Sequence, residues 1–196
     1  MTHSLHRLGN KNELKNDYVI LAMIAASERE KIPDFRVKLL RIAEILKRYN
    51  PTNIMPEFAR KLSPVITAVF TDIETVKDIL YELKREDLGI SIVVSGLIDE
   101  IGYATKEVGL NMHTIHLSLG TFGKKELLPK NPETLEITTM CGHHCTSSQS
   151  IEYYINLIKE GKISIEKAAE KLAKPCVCGI FNTQRAIEKL SELLKK

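Results

Sequence analysis

Apolar positions recur at helical spacing over most of this chain, and a few short stretches break the rhythm. Phe35, Leu39, Ile42 and Leu46 repeat every three to four residues after Pro33 and Asp34, and Asn50-Pro51 stops the run, which predicts a helix. Ile73, Val76, Leu80 and Leu83 form a second such stripe with Asp72 placed to cap it. Leu97, Ile101, Ala104 and Val108 form a third, ended by Gly109. Further stripes are Ile151, Tyr154, Ile155 and Ile158, then Ile165, Ala168, Ala169 and Leu172 behind Ser164, then Ala186, Ile187, Leu190 and Leu194 behind Asn182.

Between the helical stripes lie runs rich in β-branched residues. Residues 65–70 and 90–94 predict strands, and a third is expected over 113–119. Residues 18–26 are uniformly apolar and fit either a buried strand or a helix segment, which periodicity does not decide. Residues 51–64 hold three prolines and read as an irregular connection, and 135–140 reads as a short strand. Strand, helix, strand, helix, strand in this order predicts parallel crossovers: an α/β fold with a largely parallel sheet and helices on its faces. The loop over 120–134, with two glycines and two prolines, is the natural boundary. It divides an α/β domain (1–123) from a small C-terminal helical lobe (124–196).

The lobe carries the chemistry. The chain has four cysteines, in two tight groups: Cys141-Gly142-His143-His144-Cys145 and Cys176-Val177-Cys178-Gly179. Both groups precede predicted helices, where unpaired N–H groups favour thiolate, the form that binds metal or attacks electrophiles. Cys176 and Cys178 are two apart, so in an extended segment their sulfurs point the same way. Tetrahedral zinc takes four cysteines, or three and a histidine, and an iron–sulfur cluster takes four thiolates or leaves one iron open. Neither spacing is that of a common zinc knuckle or ferredoxin run. The expectation is therefore one shared centre of zinc or iron–sulfur held by Cys141, Cys145, Cys176 and Cys178. His143 and His144 are adjacent, so their side chains diverge. One of them, His143 in particular, is a possible replacement ligand, and either is a candidate proton carrier.

Other positions suggest a ligand crevice. Ser95 and Gly96 end a strand, and His116 and Ser118 share one face of the expected third strand, while His113 falls on the other face. Lys124 belongs to a Gly-Lys loop suited to an anion, although without P-loop spacing. Arg185, in the first turn of the last helix, can pair an anionic ligand. His3 and His6 sit in a polar N-terminal stretch.

Composition narrows the classes. With 43% hydrophobic and 27% charged residues the chain can build a core, and a net charge of +3 without a basic block disfavours a nucleic-acid partner. No apolar run is long enough for a bilayer and no signal-peptide core is present, so no membrane partner and a cytoplasmic location are expected. In that reducing setting paired cysteines are metal ligands or redox thiols more often than disulfides, although the Lys-, Glu- and Ile-rich, Trp-free composition is thermophile-like, a setting in which intracellular disulfides occur.

The leading expectation is a metal-dependent protein acting on a small anionic metabolite bound between Ser95, Gly96, His116, Ser118 and the metal. The alternatives are a binding or assembly module with a closed structural metal site, and a metal-free thiol oxidoreductase using Cys176 and Cys178. A homodimer is expected only from the frequency of such assemblies.

Overall fold

The computed structural model describes residues 7–113, 123–143 and 145–196. The chain opens with a short helix α1 (Lys11–Leu14), strand β1 (Tyr18–Met23), helix α2 (Phe35–Arg48), a brief strand β2 (Asn53–Ile54) and helix α3 (Glu57–Leu62). Strand β3 (Val65–Phe70), helix α4 (Ile73–Glu86), strand β4 (Ser91–Ser95) and helix α5 (Ile98–Glu107) follow. Helices α6 (Pro132–Thr139), α7 (Ser148–Lys159), α8 (Ile165–Ala173) and α9 (Thr183–Leu194) follow, and single 3-10 turns lie at Ala26–Glu28 and Lys125–Leu127.

The strands lie in the order β2-β3-β1-β4, and every neighbouring pair is antiparallel. This corrects the expected largely parallel sheet. Strands β3 and β4 do run in the same direction and α4 does connect them, but they are not neighbours. Strand β1, drawn from the apolar run that periodicity left unassigned, inserts between them, pairing Ile20 with Ala68 on one side and Val94 on the other. The reason is burial. Residues Tyr18, Val19, Ile20 and Ala22 are wholly buried, as only a central strand covered on both faces can be.

Alternation along β1 and β3 divides two cores. Tyr18, Ile20, Ala22, Ile66, Ala68 and Phe70 point to one face, where Leu39, Ile42 and Leu46 of α2 and Val76, Ile79 and Leu83 of α4 cover them. Val19 and Val69, paired in register, point to the other and meet Ile137, Ile151, Leu172, Phe181 and Leu190 of the C-terminal helices. The cysteine-bearing segments therefore pack directly on the sheet.

Local signals account for the elements that match and those that do not. Asp72 caps α4 by accepting the Thr75 N–H at 2.7 Å, and Ser164 and Asn182 cap α8 and α9 as their positions suggested. Residues 135–139 of the stretch expected as a strand belong to α6, and Met140 caps its C-terminal end. Asn131 caps that helix, Pro132 occupies its first position, and this start signal outweighs the β-branched content of Ile137 and Thr138. The proline-rich 51–64 stretch contains β2 and α3 rather than irregular chain only. The expected third strand falls almost entirely on residues outside those described. No helix among the described residues is long and apolar enough to cross a membrane.

Candidate thiolate site

Cys141 follows the last turn of α6, and Cys176 lies in the turn between α8 and α9; both are buried. Their side chains are hydrogen-bonded to each other, although they stand 35 positions apart in the sequence. Cys145 is also hydrogen-bonded to Cys141. Cys178 stands beside His143, with its Sγ 3.4 Å from Nδ1. All four cysteines and His143 thus gather where the two loops meet. Cys141 and Cys176 lie inward, Cys178 is half-buried, and Cys145 and His143 are exposed.

Cys176 and Cys178 do not point the same way, because their segment is not extended. The Gly179 N–H donates to the Cys176 carbonyl at 2.9 Å, closing a turn, and Gly179 takes a left-handed φ of 67°. The turn sends Cys176 inward to Cys141 and Cys178 outward to His143. A side chain at 179 would overlap the backbone of Ile54 and Met55, so the turn is pressed against the edge strand β2. The Thr67 hydroxyl donates to the Cys178 carbonyl, and Asn53 Nδ2 donates to the Phe181 carbonyl at 3.0 Å, which ties the loop to the sheet.

Loop amides surround the buried sulfurs. The N–H groups of His143 and Cys145 donate to Cys141 Sγ, and those of Ile180 and Phe181 donate to Cys176 Sγ. The Cys141 thiol is held well below the ordinary cysteine range, first by the hydrogen bond from Cys176 and then, against its burial, by these loop amides and Cys145. Cys176 is pushed up in turn by that same bond to Cys141 and by burial. Burial and the charge of Cys141 raise Cys178, and burial and the bond to Cys141 raise Cys145. One thiolate, Cys141, is thus surrounded by protonated neighbours.

A buried ionic seam lies alongside, and it includes residues the sequence did not single out. Arg7, with its side chain 3% exposed, donates from Nη1 to the Met140 carbonyl at 2.9 Å and from Nη2 to the Ile180 carbonyl. Its Nε lies 3.3 Å from Asp17 Oδ2. Arg185 donates to the same Asp17 oxygen at 2.9 Å and to Glu136 at 3.0 Å. Asp17 also accepts from Asn182 Nδ2 at 3.1 Å. Lys189 reaches Glu13, Glu136 and Glu192; burial pulls its pKa down, but these carboxylates outweigh it and raise the pKa. No local motif marks Arg7 or Asp17. The one signal was a charged residue placed directly against the apolar start of β1.

The remaining candidates among the described residues are dispersed. Arg185 is buried, and the anions it meets are the protein's own carboxylates. Ser95 faces the same side of the sheet as Val19, its partner in register. At Gly96 a side chain would strike the Tyr18 ring, on the opposite side. Lys124 precedes a single helical turn and is exposed. His113 is exposed, and His116, Ser118, His144, His3 and His6 lie outside the described residues.

Among the described residues, no three His, Cys, Asp or Glu side chains are grouped so as to hold a metal ion. The sulfur contacts are pairwise, with Cys141 as hub. No family model, curated protein or solved structure matches the chain.

Proposed function

We propose that this chain binds a metal centre, zinc or an iron–sulfur cluster, through Cys141, Cys145, Cys176 and Cys178, with His143 able to take the place of one cysteine. The observation that carries this reading is the convergence of all four cysteines, from two distant segments, around one buried thiolate. Thiolate ligands need donors or cations to offset their charge, and loop amides and Arg7 supply both beside Cys141 and Cys176. The pairwise grouping means that binding draws the outer residues Cys145 and Cys178 toward the inner pair, a coupling of site formation to metal uptake.

The outer side, where Cys145 and His143 are exposed, is where a small anionic molecule would reach an open coordination position. His143 would then carry the proton. The compartment proposed is the reducing cytoplasm.

A second reading rests on a different observation, the direct contact of a Cys141 thiolate with a Cys176 thiol. This is the arrangement of an attacking and a resolving sulfur in a dithiol oxidoreductase. The pair would lose the Cys176 proton and two electrons to form a disulfide, and a hydroperoxide would take up those electrons, that proton and one more from water to become alcohol and water.

Anaerobic purification with elemental analysis and visible spectroscopy separates the two. Stoichiometric iron with sulfide, or stoichiometric zinc, supports the metal centre. Metal-free protein that takes up neither metal, yet forms a Cys141–Cys176 disulfide with mild peroxide, replaces it with the second reading.

A further inference from the structure

We infer that Arg7 is a positioning residue of the sulfur centre: its buried guanidinium clamps the two cysteine loops together and supplies the positive charge that a metal-bound set of thiolates requires. The inference rests on the metal reading and goes beyond it, because it assigns a role to a residue far from either cysteine group in sequence.

Three observations converge on it. First, the two carbonyls that Arg7 holds are chosen in a telling way. Met140 immediately precedes Cys141, and Ile180 lies in the loop whose N–H groups face Cys176, so one side chain bridges both halves of the site. Arginine suits this because its planar fork donates in two directions at once, which a lysine ammonium on a flexible stem does less well. Second, the guanidinium is buried, and the carboxylate it reaches, Asp17, is shared with Arg185. A buried cation requires compensation, and half of one carboxylate is a poor supply. Third, Cys141 and Cys176 both act electrostatically to favour the charged form of Arg7, and its guanidinium is bonded to the carbonyl next to Cys141 and to one in the Cys176 loop, so anionic sulfur complements it. A centre bearing several thiolates would carry a net negative charge toward this guanidinium.

Metal-free, reduced protein is titrated with Co²⁺ alone, and the thiolate-to-cobalt charge-transfer bands are followed for the native chain, Arg7→Lys and Arg7→Met. The native chain is expected to show intense thiolate bands. Arg7→Met, with native far-ultraviolet circular dichroism, is expected to bind Co²⁺ on the order of tenfold or more weakly, with altered bands. Arg7→Lys keeps the charge but not the fork and is expected to fall between them; it also serves as the test if Arg7→Met does not fold. Native affinity and native bands in the folded variants, even with a lowered melting temperature, overturn the inference and leave the metal reading intact. Absence of thiolate–cobalt bands in the native chain overturns the metal reading and this inference with it.

Discussion

His143 Nδ1 lies 3.4 Å from Cys178 Sγ, and this contact joins the two cysteine loops on their solvent side, opposite the buried bond between Cys141 and Cys176. The site is therefore closed twice, once inside by sulfur on sulfur and once outside by imidazole on sulfur. If His143 is a ligand in the metal-bound state, His143→Ala should lower Co²⁺ affinity by at least about tenfold and shift the cobalt absorption as a nitrogen donor is replaced. Unchanged affinity and spectrum would leave the four cysteines as the whole ligand set.

Asp17 is the anion on which the seam behind the site depends. It is fully buried, it accepts from Arg185 at 2.9 Å, and Arg7 Nε is 3.3 Å away. Asp17→Asn removes the charge and keeps the shape, which leaves two guanidiniums short of a counterion. A loss of about 3–5 kcal/mol is expected, the usual cost of breaking a buried pair from one side. Urea unfolding measures it, and combining Asp17→Asn with Arg185→Met should recover part of the loss.

How much of this was legible beforehand depends on what kind of physics placed each residue. The helices of α2, α4, α5, α7, α8 and α9 are local objects, set by stripes such as Ile73, Val76, Leu80 and Leu83 and by caps such as Asp72, so their periodicity announces them. Strand order is not local. Nothing in residues 18–26 says that β1 will slip between β3 and β4, because the choice depends on which surfaces remain to be covered once both faces have helices. The same division runs through the site. Clustering made the four cysteines conspicuous, and the structure brings them together. Their orientation could not be read, because the extended geometry expected at 176–178 gives way to a turn closed by the Gly179 N–H. Arg7 and Asp17 were invisible for the reason β1 was: their partners, Met140, Ile180 and Arg185, are more than a hundred residues away in sequence.

The Cys141–Cys176 bond has a pH signature. In metal-free, reduced protein, Cys141 titrates below the ordinary cysteine value of about 8.5, so its thiolate persists as the pH falls through that value. The bond from Cys176 is the leading cause. Cys176→Ala should therefore move the titration upward, toward 8.5, and leave less thiolate at neutral pH. Ultraviolet thiolate absorbance followed against pH checks the direction. A titration unmoved by Cys176→Ala would mean that the His143 and Cys145 amides and the Cys145 thiol hold the charge without it.

Gly179 and Gly161 make a matched pair for testing how the second loop is held. Both adopt nearly the same left-handed backbone, with φ of 67° and 68°. At Gly161 an added Cβ meets nothing within 4 Å, whereas at Gly179 it runs into the main chain of Ile54 and Met55. Gly161→Ala should therefore cost only the conformational penalty, about 1 kcal/mol. Gly179→Ala carries that penalty and a clash with backbone that cannot rotate away, for a total on the order of 2–4 kcal/mol. The overlap has to be relieved by lifting the 176–179 turn from β2, which weakens the Thr67 and Asn53 bonds and draws Cys176 away from Cys141. Gly179→Ala should thus lose metal as well as stability, while Gly161→Ala loses a little stability and no metal. Denaturant melts and elemental analysis of the two variants distinguish these outcomes, and equal metal content in both would show that the turn is not held to the sheet in the way the Ile54 contact implies.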